Sequence, residues 1–128
     1  MPDSNIPSEG VAGVEIIGDL QDCDREYLVN MKMGEFRDLI SQLLTKYNLK
    51  ELDSVYHEFD VGFTGVVALA ESHFAVHTWP VEGYVSVNLF VCNYSRDNSE
   101  AAQSMFDEIS AHFRANNVVK NIIQRKMR

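Results

Sequence analysis

With 128 residues, 45% of them hydrophobic and including one tryptophan, five tyrosines and seven phenylalanines, the chain carries enough apolar material for one domain with its own core, which excludes a wholly disordered chain. A net charge of −8 and an isoelectric point near 4.8 exclude nucleic acid as a partner, because phosphate binding needs a cationic stripe that this chain lacks outside its last residues. Two cysteines, Cys23 and Cys92, stand far apart without ligand spacing, which excludes a disulfide framework and a structural zinc site and fits a reducing cytoplasm.

Residues 1–12 are polar and acidic and read as a flexible N-terminal arm. They lack the charged start and apolar run of an export signal, and no apolar stretch reaches membrane-spanning length. Residues 13–128 form the single domain. Val14 to Leu20 predicts the first strand. From Lys32 to Tyr47 the apolar residues Met33, Phe36, Ile40, Leu43 and Tyr47 recur at intervals of three and four, the period of a helix with one buried stripe. Four strands follow, Ser54 to Phe59, Gly65 to Ala70, His73 to Thr78 and Tyr84 to Cys92, with turns at Asp60 to Thr64 and Pro80 to Gly83.

In the last of these strands Val85, Val87, Leu89 and Val91 share one face, so Tyr84, Ser86, Asn88, Phe90 and Cys92 point to the other. Ser99 reads as the N-cap of a second helix with Ala102, Met105, Phe106, Ile109 and Phe113 on its buried stripe. A closing strand, Val118 to Ile123, precedes a basic tail, Gln124 to Arg128. This order predicts an α+β fold, a two-layer sandwich of an antiparallel sheet with both helices on one face. The uncovered face is then wet, functional or paired with a second copy.

The chemistry-bearing residues gather in Glu71-Ser72-His73-Phe74-Ala75-Val76-His77-Thr78-Trp79-Pro80 and at Cys92. Ser72 and His77 are five apart on one strand and project to opposite faces, which argues against a hydrolase triad, and no GxSxG elbow is present. Ser72 at a strained strand junction, however, can attack the carbonyl of Glu71 and turn the peptide bond into an ester. Singly, a cysteine is more often a small buried hydrophobe and a strand histidine a satisfied polar group. His57, His73 and His112 are read that way, and so is Cys23.

Jointly, Glu71-Ser72-His73, His77-Thr78-Trp79-Pro80, Gly83-Tyr84 and Cys92 closely resemble the self-cleaving, pyruvoyl-dependent S-adenosylmethionine decarboxylases of bacterial and archaeal type, most strongly from Gly62 to Asn93. The resemblance implies cleavage between Glu71 and Ser72, Ser72 becoming the pyruvoyl cofactor that holds the substrate as a Schiff base, with no metal. It implies that His77 and Thr64, the latter standing where the family usually has serine, assist cleavage, and that Cys92 returns a proton to the substrate α-carbon. It also implies a homodimer of cleaved α and β chains.

The sequence departs from the family at three substrate-side places. Val81 replaces the glutamate expected to hold the ribose hydroxyls, and neighbouring Glu82, on an extended chain, points the other way. The Phe59-Asp60-Val61-Gly62 loop is shorter than the usual one, and Asn88 stands where aspartate is common. Loss of the carboxylate removes two charge-assisted hydrogen bonds of about 1.5–3 kcal/mol each. Val81 therefore favours arginine or ornithine, substrates of some family members, over S-adenosylmethionine, the alternative substrate in this polyamine-forming chemistry. Either is a small cationic amino acid suited to an acidic protein. A third reading is an inactive paralogue that partners or regulates an active enzyme; retention of Ser72, His77 and Cys92 opposes it.

Overall fold

The computed structural model describes residues 11–93 and 96–127. Nine elements follow one another: β1 (Val11–Cys23), α1 (Arg25–Val29), α2 (Met33–Lys46), β2 (Glu51–Glu58), β3 (Phe63–Leu69), β4 (Ser72–Trp79), β5 (Tyr84–Cys92), α3 (Ser99–His112) and β6 (Ala115–Lys126). The strands form one sheet in the order β2-β3-β4-β5-β1-β6, every neighbour antiparallel. Consecutive hairpins join β2 through β5, and β1 inserts between β5 and β6. The expected α+β two-layer architecture is borne out, with helices on one face.

Alternation decides which face is buried. Val85, Val87, Leu89 and Val91 of β5, with Phe74 and Val76 of β4 and Ile16 and Leu20 of β1, are buried in one cluster with the helices. Across from them stand Phe36, Ile40 and Leu44 of α2 and Met105, Phe106 and Ile109 of α3, at the helical spacing read from the sequence. Gly18 occupies the inward position of β1 between Ile16 and Leu20 because the Phe106 ring lies on it; a Cβ there would sit 2.4 Å from the ring.

Several boundaries differ from expectation, each for a local reason. Residues 1–10 of the expected arm lie outside the described residues, and Val11 and Ala12 already belong to β1. The β1–β6 ladder runs from Val11↔Lys126 to Cys23↔Ala115, so Gln124 to Lys126 continue a strand and are not a tail. Backbone pairing with a long partner extends β6 although its side chains are mostly exposed. The short helix α1 escapes a periodicity search at five residues; Asp24 initiates it by accepting the Tyr27 amide at 3.0 Å. Asn98 rather than Ser99 occupies the N-cap of α3, and the Ser99 amide is instead satisfied by the Asp97 carboxylate at 2.9 Å. Cys23 is buried, its Sγ directed at the Leu20 carbonyl, and burial pushes its thiol pKa up, in keeping with a packing role. No helix among the described residues is long and apolar enough to cross a membrane.

The two environments of glycine give a direct check. Gly18→Ala is expected to cost about 1–3 kcal/mol by overpacking against Phe106. Gly34→Ala, on an exposed turn of α2 with open space around it, is expected to add about 0.5–1 kcal/mol. Thermal melts of the two variants should move in opposite directions.

Candidate active site

The β3–β4 connection is the most constrained turn near the candidate residues. Leu69 pairs with Ser72, leaving Ala70 and Glu71 as a two-residue loop. Such loops favour turns with positive φ at the first central residue, yet here only the second, Glu71, is positive, at φ 73°. A side-chain-bearing residue in the left-handed region costs roughly 1 kcal/mol. The peptide between Glu71 and Ser72 thus follows a residue held in the left-handed region, as Asp22, Asn48 and Arg114 also are. The Ala70 amide, bonded to the Lys50 carbonyl at 2.9 Å, pins the turn to the start of β2.

Glu71, Ser72 and Cys92 line a single cavity of about 260 Å³ at the end of the sheet, with Asn48, Lys50, Arg96 and Asn98 also on its wall. Ser72 and Cys92 are both half-buried. The Cys92 carbonyl accepts the Asn98 side-chain amide at 2.9 Å, and the Asn98 backbone amide is held by the Asn93 side chain at 2.8 Å. This closed loop fixes the strand end that carries the thiol. The structure thereby brings together Ser72, Glu71 and Cys92.

Thr64 and His77 form a second group. They are cross-strand partners on the uncovered face, with Thr64 Oγ1 and His77 Nδ1 2.8 Å apart. The His77 ring lies 5.9 Å from Trp79, which stacks on Tyr84 at 5.2 Å. Five residues at ~3.3 Å each separate His77 from Ser72 by roughly 16 Å along β4, on the opposite face. Within one chain the two do not meet.

The remaining substrate-side candidates distribute between these ends. Val81 and Glu82 lie in a turn closed by Glu82 N to the Trp79 carbonyl at 3.2 Å and Gly83 N to the Pro80 carbonyl at 3.1 Å, so the extended chain assumed for Glu82 is replaced by a turn. Val81 is 65% exposed, and Arg25 Nε donates to its carbonyl at 2.7 Å. Phe59, also exposed, stands edge-on to His57. Its loop presses on the Thr78–Pro80 segment so closely that a Cβ on Gly62 would meet the Thr78 carbonyl at 2.7 Å. Phe59, Val81 and Glu82 therefore belong to the His77 end.

Asn88 occupies the middle of the uncovered face inside a network that sequence reasoning missed. His73 Nε2 donates to Asn88 Oδ1 at 3.1 Å, Asn88 Nδ2 donates to Glu15 Oε2 at 2.9 Å, and Arg125 Nη1 donates to Glu15 Oε1 at 2.6 Å. The Asn88 hydrogen bond, then the Arg125 guanidinium, hold the Glu15 carboxyl below its ordinary range against the opposing effect of desolvation. An aspartate at position 88 would face Glu15 with like charge, so asparagine is the residue that fits here. Beside it, Tyr84 donates to Asp19 at 2.5 Å, which pushes the phenol up to about 12. Only register reveals these partners: Glu15 shares the outward parity of β1, but nothing in its neighbours announces Asn88. Lys50 and Arg96, too, lie in segments read as connections.

A one-sided antiparallel sheet whose strained Glu-Ser turn shares a cavity with a thiol is the arrangement of a pyruvoyl-dependent carboxy-lyase. Residues 14–126 match the family model described as S-adenosylmethionine decarboxylase. Over 113 residues, 84% of this chain and 86% of the other, it is 34% identical to the S-adenosylmethionine decarboxylase proenzyme of Caldicellulosiruptor saccharolyticus. The corresponding proenzyme of Fervidobacterium nodosum is 40% identical over 81 residues, 62% of this chain and 58% of that one. The crystal structure of the adenosylmethionine decarboxylase from Aquifex aeolicus superposes with a TM-score of 0.79 at 27% identity, covering 92% of this chain and 93% of that one. The chain belongs to the S-adenosylmethionine decarboxylase family.

Because the Glu15 pKa is lowered on folding, its ionised form contributes stability above the unfolded value of 4.5, which is lost as pH falls from there through the depressed folded value. Glu15→Gln should therefore differ from the parent in stability at neutral pH and lose less of it on acidification. Parallel acid-denaturation curves check this; curves of equal steepness below pH 4.5 would show that the network does not hold the carboxylate.

Proposed function

We propose that the chain cuts itself between Glu71 and Ser72 and that the processed protein, residues 13–128 forming one domain, decarboxylates S-adenosylmethionine. The observation that carries this reading is the positive φ of Glu71 beside Ser72, in one cavity with Cys92. The names of the relatives, all S-adenosylmethionine decarboxylase proenzymes among those described, support both the cut and the substrate.

The residues fit a pyruvoyl group made from Ser72. The Ser72 hydroxyl reaches the Glu71 carbonyl carbon across its own Cβ, Cα and N, closing a five-membered ring, and relief of backbone strain favours that attack. A pyruvoyl group supplies a ketone that binds a substrate amine and takes up the electron pair released with carbon dioxide. Cys92, on the wall of the same cavity, is placed to return a proton to the substrate carbon. Half-burial keeps that carbon away from most bulk water.

For His77 and Thr64 to assist the cut, a second copy must bring them. The uncovered face exposes Val55 and Val66, paired across β2 and β3, and Ile17 on β1 beyond Asn88, apolar side chains suited to pairing. In this reading the second copy reaches around the end of the sheet, so that the Thr64–His77 pair of each meets the Glu71–Ser72 turn of the other. Phe59, Val81, Glu82 and Trp79 then line the partner's substrate. A homodimer of cut chains with two equivalent sites follows.

Val81 supports a second reading, arginine or ornithine as substrate. A valine 65% exposed at the position where the family has the ribose-binding glutamate offers nothing to a vicinal diol. Carbon dioxide release from the three compounds side by side separates the readings, and Val81→Glu should improve S-adenosylmethionine turnover alone if the diol is bound there.

On a denaturing gel the purified protein should run as fragments 1–71 and 72–128 in place of the 14.5 kDa chain; an intact band would sink the cleavage reading and favour an inactive paralogue. Cys92→Ala should be cut normally but lose decarboxylation by about 10²–10⁴-fold, whereas Ser72→Ala should be neither cut nor active. Co-expression of Ser72→Ala with His77→Ala should restore cutting of the His77→Ala chain. Its continued failure in mixed dimers would show that His77 does not act across the interface.

A further inference from the structure

We propose that Lys50 and Arg96 form the seat of the carboxylate that cleavage creates at Glu71, an inference that rests on the self-cleavage reading above. Cutting the bond consumes one water. The Ser72 hydroxyl oxygen ends in the new Glu71 carboxylate, the oxygen of water in the ketone, and the Ser72 nitrogen leaves as ammonia, with no oxidant or reductant required. The cut therefore adds a negative charge to a residue that already carries one on its side chain, inside a half-enclosed cavity. Like charges in such a space demand cations nearby.

The cavity wall supplies two. Lys50 is tied to the turn through its backbone, its carbonyl accepting the Ala70 amide at 2.9 Å, and it lines the same cavity as Glu71. Arg96 approaches from the β5–α3 connection, where Nη2 donates to the carbonyls of Tyr47 and Asn48 at 2.9 and 3.0 Å beyond the end of α2. Those two bonds engage one nitrogen of a guanidinium that carries five N–H groups in a fixed fork, the geometry that receives a carboxylate. The ion pairs among the described residues engage neither Lys50 nor Arg96. The neighbouring Asp97 carboxylate is committed to the Ser99 amide at the start of α3.

Placing two cations at this spot in a chain of net charge −8 has a second consequence. The cut adds one negative charge to a wall that carries Lys50 and Arg96, which makes that wall less repulsive to a sulfonium or ammonium compound.

The test compares cut and uncut proteins. Lys50→Gln with Arg96→Gln is made in the parent and in Ser72→Ala, and thermal midpoints are measured at low salt and at ~0.5 M salt, where partly exposed pairs are screened. In the cut protein the double substitution should lower the midpoint by about 5 °C more than in the uncut one, the excess should shrink in salt, and Lys50→Arg with Arg96→Lys should restore it. Equal shifts in both backgrounds, or none in either, would overturn the proposal by leaving the pair a structural role or no role. Loss of cutting in the double variant would also overturn it, since the pair would then act on the reaction and not on its product. A parent that runs as a single band defeats the cleavage reading itself, and the gel shows this before any melt.

Discussion

The period-two alternation of β4 and β5 under one-sided burial is the constraint on which the rest depends. Phe74 and Val76 enter the helix-covered core, so His73, Ala75 and His77 must face outward, and the hairpin register then matches His77 with Thr64 and with Ser86. A slip of one residue would put both histidines in the core and three valines and a leucine of β5 toward solvent. The hydrophobic effect thereby sets the reactive residues' positions without any of them contributing much to stability. It also forbids Ser72 and His77 from cooperating within one chain.

That prohibition is where the sequence was most and least legible. Opposite projection of Ser72 and His77, the outward Cys92 and the stripes of α2 and α3 all follow from periodicity, because side chains that alternate or recur every three to four residues leave little freedom in how a core is built. Less accessible were features that depend on register or on backbone torsion. The positive φ of Glu71 has no signature in a residue type that usually avoids that region. The Glu15–Asn88–His73 chain joins residues that no local pattern connects. Strand ends were missed where ladder pairing, and not side-chain burial, sets the length, as in β6.

Two departures from the family pattern acquire different meanings once partners are visible. Asn88 is compensated locally: its amide bridges His73 and Glu15, and the carboxylate that would otherwise stand at position 88 is present across the strand at position 15. Val81 has no such compensation; its turn holds Glu82 and an Arg25 contact to the backbone, neither of which reproduces a carboxylate at position 81. Of these two, Val81 is the one on which the proposed choice of substrate turns.

The exposed apolar side chains of the uncovered face and the separation of the Thr64–His77 pair from Ser72 both bear on the dimer we propose. A sheet face that exposes Ile17, Val55 and Val66 is costly in water unless covered, and a Thr64–His77 pair roughly 16 Å from the nearest Ser72 in its own chain has no target there. In the dimer we propose, a second copy would cover those residues and bring the Thr64–His77 pair its target. An intrachain site would require bending β4 sharply between Phe74 and Val76, both fully buried, at the expense of the core that alternation builds. Of the two ways to unite Ser72 with His77, the one that keeps the core intact is the one that needs a second copy.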